Sequence, residues 1–428
     1  SHRALSEHKT LSVSWSHYQL RLCMSIRIEE SNSTKRIICL FILFLVFPDF
    51  LFYTLGVDNF SISTIISITL LFVFLRAKNI CKDNFLIIVA LFILLCFNCL
   101  LSMLFNIEQA LTFKVVLSIY SILIMAYVSS CYAQTLWLCS EEILKRSVFY
   151  LFAFLCLIGI ISILLQKTEI IHDKSMILFP EPSAFALVFI PIFSFCLYYT
   201  RGGGLLLLYI LSLGIALGIQ NLTMLVGIVI SVFVMKKITI RQTIVILLGA
   251  WIFSMILSDL DISYYTSRLD FKNTTNLSVL VYLSGIERAF LNFITSYGLG
   301  IGFQQMGVNG EIGIYQQILA ELDAPMLNIY DGSFISSKLI SEFGVIGALM
   351  CIFYFFYFSR FYLRFKKSKR YSPQYILAYS FYMCFFIPLF IRGAGYINPY
   401  VFMLFSSIFL CKYHAKNILM KSNVQIAI

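Results

Sequence analysis

Four cations stand where anion chemistry could be done. Arg268 lies in YYTSRLD, Arg288 in SGIERAF beside Glu287, Arg392 in IRGAGYINP, and Lys338 in ISSKLISEFG. A guanidinium offers a rigid fork of donors that matches phosphate oxygens and keeps its charge at any physiological pH. The plainer reading of such a cation is a helix-end side chain snorkelling to lipid head groups. Acids accompany them. Glu181 sits between Pro180 and Pro182 in FPEPSAF, Asp331 in NIYDGSF, and Glu342 four residues after Lys338. Each carboxylate can take a proton from a weak nucleophile within hydrogen-bond reach. Glu342 can equally form an i,i+4 pair with Lys338. Asp49, after Pro48 in an apolar run, has no evident partner in the sequence.

Three weaker patterns are set lower. Asp259-Leu-Asp261 is a D-x-D at a helix-to-loop junction, short and common. YGLGIGFQQMG resembles a phosphate-binding glycine loop, but no strand precedes it as that chemistry requires. Gly298 and Gly300 within it are therefore expected to permit close backbone approach. His172 reads as a solvated loop histidine. No metal site is expected: five His and twelve Cys show no zinc-type spacing.

The elements that must hold these residues are apolar. Of 428 residues, 60% are hydrophobic and 12% charged, whereas soluble domains run at about 45–50% and about 25%. A soluble enzyme and a disordered chain are excluded. The net charge of +11 is read as basic cytoplasmic loops rather than nucleic-acid affinity. Twelve segments approach the length of a spanning helix: 37–55, 60–76, 85–105, 110–131, 147–165, 183–200, 203–219, 220–235, 242–258, 334–359, 373–391 and 396–411. With residues 24–36 inside, inside connections hold twenty-one Lys and Arg and outside ones six. The rule that basic residues stay cytoplasmic then puts both termini in the cytoplasm and the four cations on the far side. Residues 1–23 lack the apolar core of a secretory signal. They are read as sequence upstream of a more plausible start at Met24.

The expected organisation is a cytoplasmic segment 1–36, nine spans over 37–258, an outside connection 259–333, three spans over 334–411 and a tail 412–428. The fold class is an all-α polytopic membrane protein. A connection as long as 259–333 is usually functional or carries structure of its own. Within 278–297, Ser284, Arg288, Asn292 and Thr295 recur at helical spacing. This predicts an amphipathic helix on the membrane or against the bundle.

In order along the chain, FPEPSAF, YYTSRL, NLSVLVYLSGIERAFLN, GLGIGFQQMG, NIYDGSFISSKLISEFG and IRGAGYINP resemble the bacterial O-antigen polymerases (Wzy). The resemblance covers roughly 37–411. Members often carry an Arg followed about ten residues later by Gly; Arg288 has Gly298 and Gly300 at ten and twelve, and Arg268 has neither. The resemblance implies a GT-C-like fold in the bacterial inner membrane with its site facing the periplasm. The implied reaction joins oligosaccharide repeat units carried on undecaprenyl pyrophosphate, and needs no cofactor or metal. Implied partners are those lipid-linked oligosaccharides, membrane lipids and a chain-length-determinant protein, with no nucleic acid.

On this reading Arg288, Arg268 and Arg392 stabilise the departing pyrophosphate, and Glu181 or Asp331 serves as base. Lys338, Glu287, Gly298 and Gly300 line the substrate site, and Tyr282 and Tyr396 offer rings for sugars. Two rivals stand beside it. An O-antigen ligase would carry a His in the large outer loop, and none lies between Asp259 and Ser333. A flippase would place polar residues at mid-membrane in both halves.

Overall fold

The structure, a computed structural model, describes residues 32–57, 59–75, 80–105, 112–168, 176–235, 265, 267–271, 275–367 and 371–426. The D-x-D pair, His172, the expected span 242–258 and the segment before residue 32 lie outside the described residues. The chain is all-helical; no strand occurs among the described residues. Helix α1 spans Asn32–Leu45 and bends by 46° into α2, Phe47–Tyr53. Next come α3 (Phe60–Phe74), α4 (Lys82–Phe105), α5 (Thr112–Trp137), α6 (Glu141–Lys167) and α7 (Pro182–Tyr199). Then follow α8 (Gly203–Gly218), α9 (Leu222–Met235), α10 (Leu277–Thr295), α11 (Ile314–Glu321) and α12 (Ile335–Phe343). The last four are α13 (Val345–Lys367), α14 (Pro373–Cys384), α15 (Phe386–Phe390) and α16 (Pro399–Ile426).

Among the described residues seven helices are long and apolar enough to cross a membrane, or eight if the bent pair is one span. The protein is membrane-embedded. Of the twelve expected spans, 242–258 lies outside the described residues, and several others differ in form. Helices α3 and α8 are apolar but shorter than a full span. Most of the run 396–411 lies in α16, which starts at Pro399 and whose second half is polar in sequence. The expected single span 334–359 is two helices, α12 and α13, divided at Gly344. Gly344 has φ +57°, a backbone state closed to most side chains, so the helix cannot run through it.

Helix α7 is the axis. Every residue from Ala184 to Leu197 is buried, so the helix is apolar all round, as a fully sheathed helix must be. It packs on α9, α14 and α6. Gly227 of α9 lets that helix approach closely, since a methyl there would overlap Ile190. The Ser194 hydroxyl donates to Ser231 Oγ at 2.7 Å across the same contact. Helices α5, α14 and α16 form the adjoining layer. There Phe44, Tyr132 and Phe402 join α1, α5 and α16, with ring centroids 4.9–5.6 Å apart. Helices α4 and α13 turn their apolar surfaces outward, as lipid-facing helices do.

The expected amphipathic helix is α10, and its polar face is the one turned inward. Ser284, Arg288 and Asn292 face the protein and are buried, while Ile286, Phe290 and Ile294 are exposed. Its apolar surface is thus free for lipid, and it qualifies by length and composition as a membrane-crossing helix. Its polar stripe seats on α12 and the loops beside it.

Candidate functional site

The ends of α6, α7, α8 and α9 meet at one end of the bundle, and there a cavity of about 660 Å³ opens. Glu181 projects into it. The run Phe179-Pro180-Glu181-Pro182 explains its placement. Pro182 occupies the first turn of α7, where its missing N–H is no loss. Glu181 is the N-cap residue in extended conformation (φ −151°, ψ 157°), and its carbonyl accepts from Ala184 N at 3.1 Å. Its side chain does not cap the helix. It turns instead to Arg392, whose Nη2 donates to Oε1 at 2.8 Å and Oε2 at 3.1 Å. The Ser183 hydroxyl also donates to Oε1. Arg392 is held by its own backbone: its N–H donates to Ile387 O at 3.0 Å, just past α15. Burial pushes the Glu181 carboxyl up, but the Arg392 charge and hydrogen bond, then Ser183 and Arg268, outweigh it. The net effect is a carboxyl held below its ordinary value.

Arg268 lines the same cavity and lies within the electrostatic field of Glu181. Tyr282 lines it too, its hydroxyl donating to Phe390 O at 3.4 Å and its ring packed on Phe334 at 5.0 Å. The tight α8–α9 turn, Gln220-Asn221, also lines it, with Gln166 and Lys167 from the end of α6. Its signal in the sequence is two adjacent amides between apolar runs. Gln220 holds φ +50° there.

A second charge centre lies buried beside the first. Lys338, 2% exposed, donates from Nζ to Tyr330 O at 2.7 Å and Gln304 Oε1 at 3.3 Å. Asp331 Oδ1 lies 3.7 Å from that ammonium, Glu342 Oε1 3.9 Å, and the Tyr396 ring centroid 5.1 Å. Glu342 also accepts from Met306 N at 3.2 Å. Arg288, 3% exposed, donates from Nη1 to Ile329 O at 2.8 Å. It belongs to this centre and does not line the cavity. Lys114, missed in the sequence because it opens an ordinary apolar helix, lies 4.7 Å from the Tyr330 ring centroid.

The remaining candidates separate from ligand contact. Glu287 accepts from Ile314 N at 2.9 Å and Tyr315 N at 3.0 Å, so both its oxygens cap the start of α11. This corrects its reading as a substrate contact: the open N–H groups of a helix start claim the carboxylate first. Gly298 and Gly300, with φ +78° and +84°, pack backbone to backbone on the α12–α13 break. There Val345 N donates to Gly298 O, and Ile301 N and Gly302 N donate to Ser341 O and Glu342 O. Close backbone approach is what the glycines provide, against the protein rather than a ligand. Tyr396 is buried against Phe303 and Phe343.

The two centres share their loops. Ser333 lines the cavity two residues after Asp331, and Gly393 N donates to Ser333 O at 2.9 Å, joining the Asp331 loop to the Arg392 loop. Among the described residues no group of His, Cys, Asp or Glu could hold a metal ion.

Compared with protein-family models, curated proteins and solved structures, the chain matches none. Fold and site together define a class: an all-helical membrane protein with a half-open cavity at one end. That cavity is suited to an anion by its arginines and to a polyol by its amides and hydroxyls.

Proposed function

We propose that the protein is a glycosyltransferase of the O-antigen polymerase kind, joining lipid-pyrophosphate-linked oligosaccharide units at this cavity. One observation carries the reading. Arg392 and Glu181, 211 residues apart in sequence, meet on the cavity with Arg268 close by. All three belong to the motifs that resemble the family. In such a transfer the acceptor hydroxyl attacks the anomeric carbon and the sugar–pyrophosphate bond breaks. Pyrophosphate leaves with the electron pair, and the hydroxyl proton passes to a base.

Arg392 and Arg268 offer donors to the leaving group, which gains charge in the transition state. Glu181, held ionised by Arg392, is a weak base at rest. A pyrophosphate that draws Arg392 away lets burial raise the carboxyl, strengthening the base as the donor binds. Gln166, Gln220 and Asn221 face sugar hydroxyls across the cavity. Arg288 supports the site from the neighbouring buried centre.

The test is a gel of lipopolysaccharide from a host lacking the gene. Core bearing a single repeat unit, with the ladder restored by the wild-type gene and not by Arg392→Ala, supports the reading. Bare core with polymer accumulating on carrier lipid replaces it with a ligase. Bare core with single units trapped on the cytoplasmic side replaces it with a flippase.

A further inference from the structure

One amide on the cavity has hydrogen-bonding capacity left over. The chain leaves α8 at Gly218 and enters α9 at Leu222. Gln220 N donates to Leu217 O at 3.0 Å and Asn221 N to Ala216 O at 2.9 Å, which closes α8 around the left-handed Gln220. Asn221 then opens α9: its Oδ1 accepts from Met224 N at 2.9 Å. That bond fixes the amide, because only the oxygen can accept, and it leaves Nδ2 unused by the cap. Asn221 is 4% exposed, and among the described residues its Nδ2 has no acceptor. Nearly all buried polar groups are paired, so this donor asks for a partner. Asn221 lines the cavity, which is where a partner can come from.

The first N–H groups of α9 reinforce it. Those of Leu222 and Thr223 have no acceptor within the helix, as in the first turn of any helix. Among the described residues nothing else accepts from them. Both residues line the cavity. Open donors at a helix start carry partial positive charge and suit an anion. The other charges agree. Lys167, Arg268 and Arg392 line the cavity with one carboxylate, Glu181, which Arg392 already holds. Cations are in excess, so the fitting occupant is negatively charged.

We propose that the start of α9 is an oxyanion subsite of the cavity, built from different elements than the Arg392–Glu181 pair. Asn221 Nδ2 and the N–H groups of Leu222 and Thr223 hold a carboxylate or phosphoryl group of the ligand there. Two sources supply that chemistry: the acid group of an acidic sugar, or a phosphoryl group of a lipid-linked substrate. The inference rests on the cavity and its donors, and not on the transfer reaction.

The experiment is thermal melting of the purified full-length protein in detergent, titrated with sodium glucuronate, with sodium pyrophosphate and with sodium chloride at matched ionic strength. A ligand that binds only the folded protein raises its melting point. Wild type is expected to be stabilised by one of the two oxyanions beyond chloride. Asn221→Asp is the informative variant. Aspartate caps a helix as well as asparagine does, so this variant is expected to melt no lower than wild type in chloride. It puts a negative charge where the donor was. It is therefore expected to bind the stabilising oxyanion about tenfold more weakly or worse, the worth of a charged hydrogen bond. A loss seen with glucuronate assigns the subsite to an acidic sugar, and one seen with pyrophosphate to a phosphoryl group. A wild type indifferent to both overturns the proposal, and this arm needs no variant to fold. An Asn221→Asp protein that binds as wild type does also overturns it, since the anion then rests on the arginines alone. So does one that melts lower in chloride, since the amide donor then serves the fold. The readout is binding, so a failed lipopolysaccharide ladder test leaves these outcomes standing.

Discussion

Replacing Gly344 by alanine tests the junction that organises the buried centre. The residue sits at φ +57° and ψ −127° between α12 and α13. A side chain held in such a backbone state costs about 1–3 kcal/mol. The added methyl carbon would also lie 2.0 Å from Gly298 O and 2.6 Å from Gly300 N, both backbone atoms that cannot rotate aside. Relief requires parting the glycine-rich loop from the helix break. Three backbone hydrogen bonds cross that contact, at 2.8, 2.9 and 3.0 Å. Each contributes about 0.5–1.5 kcal/mol net. Losing two of them along with the strain gives roughly 2–6 kcal/mol, a large share of a typical stability of about 5–15 kcal/mol. Gly203→Ala is the control: nothing lies within 4 Å of its added carbon, at the first turn of α8. Such a substitution is expected to be neutral or to stabilise by about 0.4–1 kcal/mol. The assay is the fraction of each purified variant that stays monodisperse after heating in detergent. Gly344→Ala should lose its folded fraction well below wild type. If it melts together with Gly203→Ala, the loop does not rest on the break as described.

Three further outcomes are expected. Arg392→Ala should cost no more than about 1 kcal/mol of stability, because the ion pair is 29% and 47% exposed and screened by water. If the proposed transfer is correct, the same variant should lower polymerisation about 10²–10³-fold, read as polymer formed per purified molecule. Glu181 is held below its ordinary value near 4.5. Its contribution to stability is therefore complete above that pH and is lost as pH falls through the lowered folded value. The melting difference between wild type and Glu181→Gln should close only on the acid side of 4.5, and Arg392→Gln should abolish that window. Lys338→Met, which strands Glu342 in the interior, should destabilise by about 3–5 kcal/mol. Combining it with Glu342→Gln should recover much of the loss, as a double-mutant cycle of melting points would show.

Hydropathy and local signals carried part of this fold. Apolar runs located most of the helices, because burial in lipid or protein demands the same composition. They could not reveal the division at Gly344, since a window of some twenty residues averages across one glycine. The wheel of α10 was readable at Ser284, Arg288 and Asn292, but a wheel does not say which face turns inward when the surroundings are apolar as well. Pro180 and Pro182 marked Glu181 as fixed in place. Its bond to Arg392 was not readable, because nothing local links positions 211 residues apart. Glu287 misled for the opposite reason: proximity to Arg288 suggested a shared site, while adjacent helical residues point to different faces.

The inward polar stripe of α10 constrains how the molecule can be assembled. An arginine at the centre of a lone membrane helix costs about 2.5–3.5 kcal/mol on insertion scales. Arg288 is relieved of that burden by Ile329 O, and Asn292 donates to Ser341 Oγ and accepts from Glu311 N. Every one of those partners lies later in the chain. During synthesis α10 therefore leaves the ribosome before the groups that satisfy it exist. Entry of α10 together with α12 avoids that cost, which favours the stretch from α10 to α12 as one unit of biogenesis.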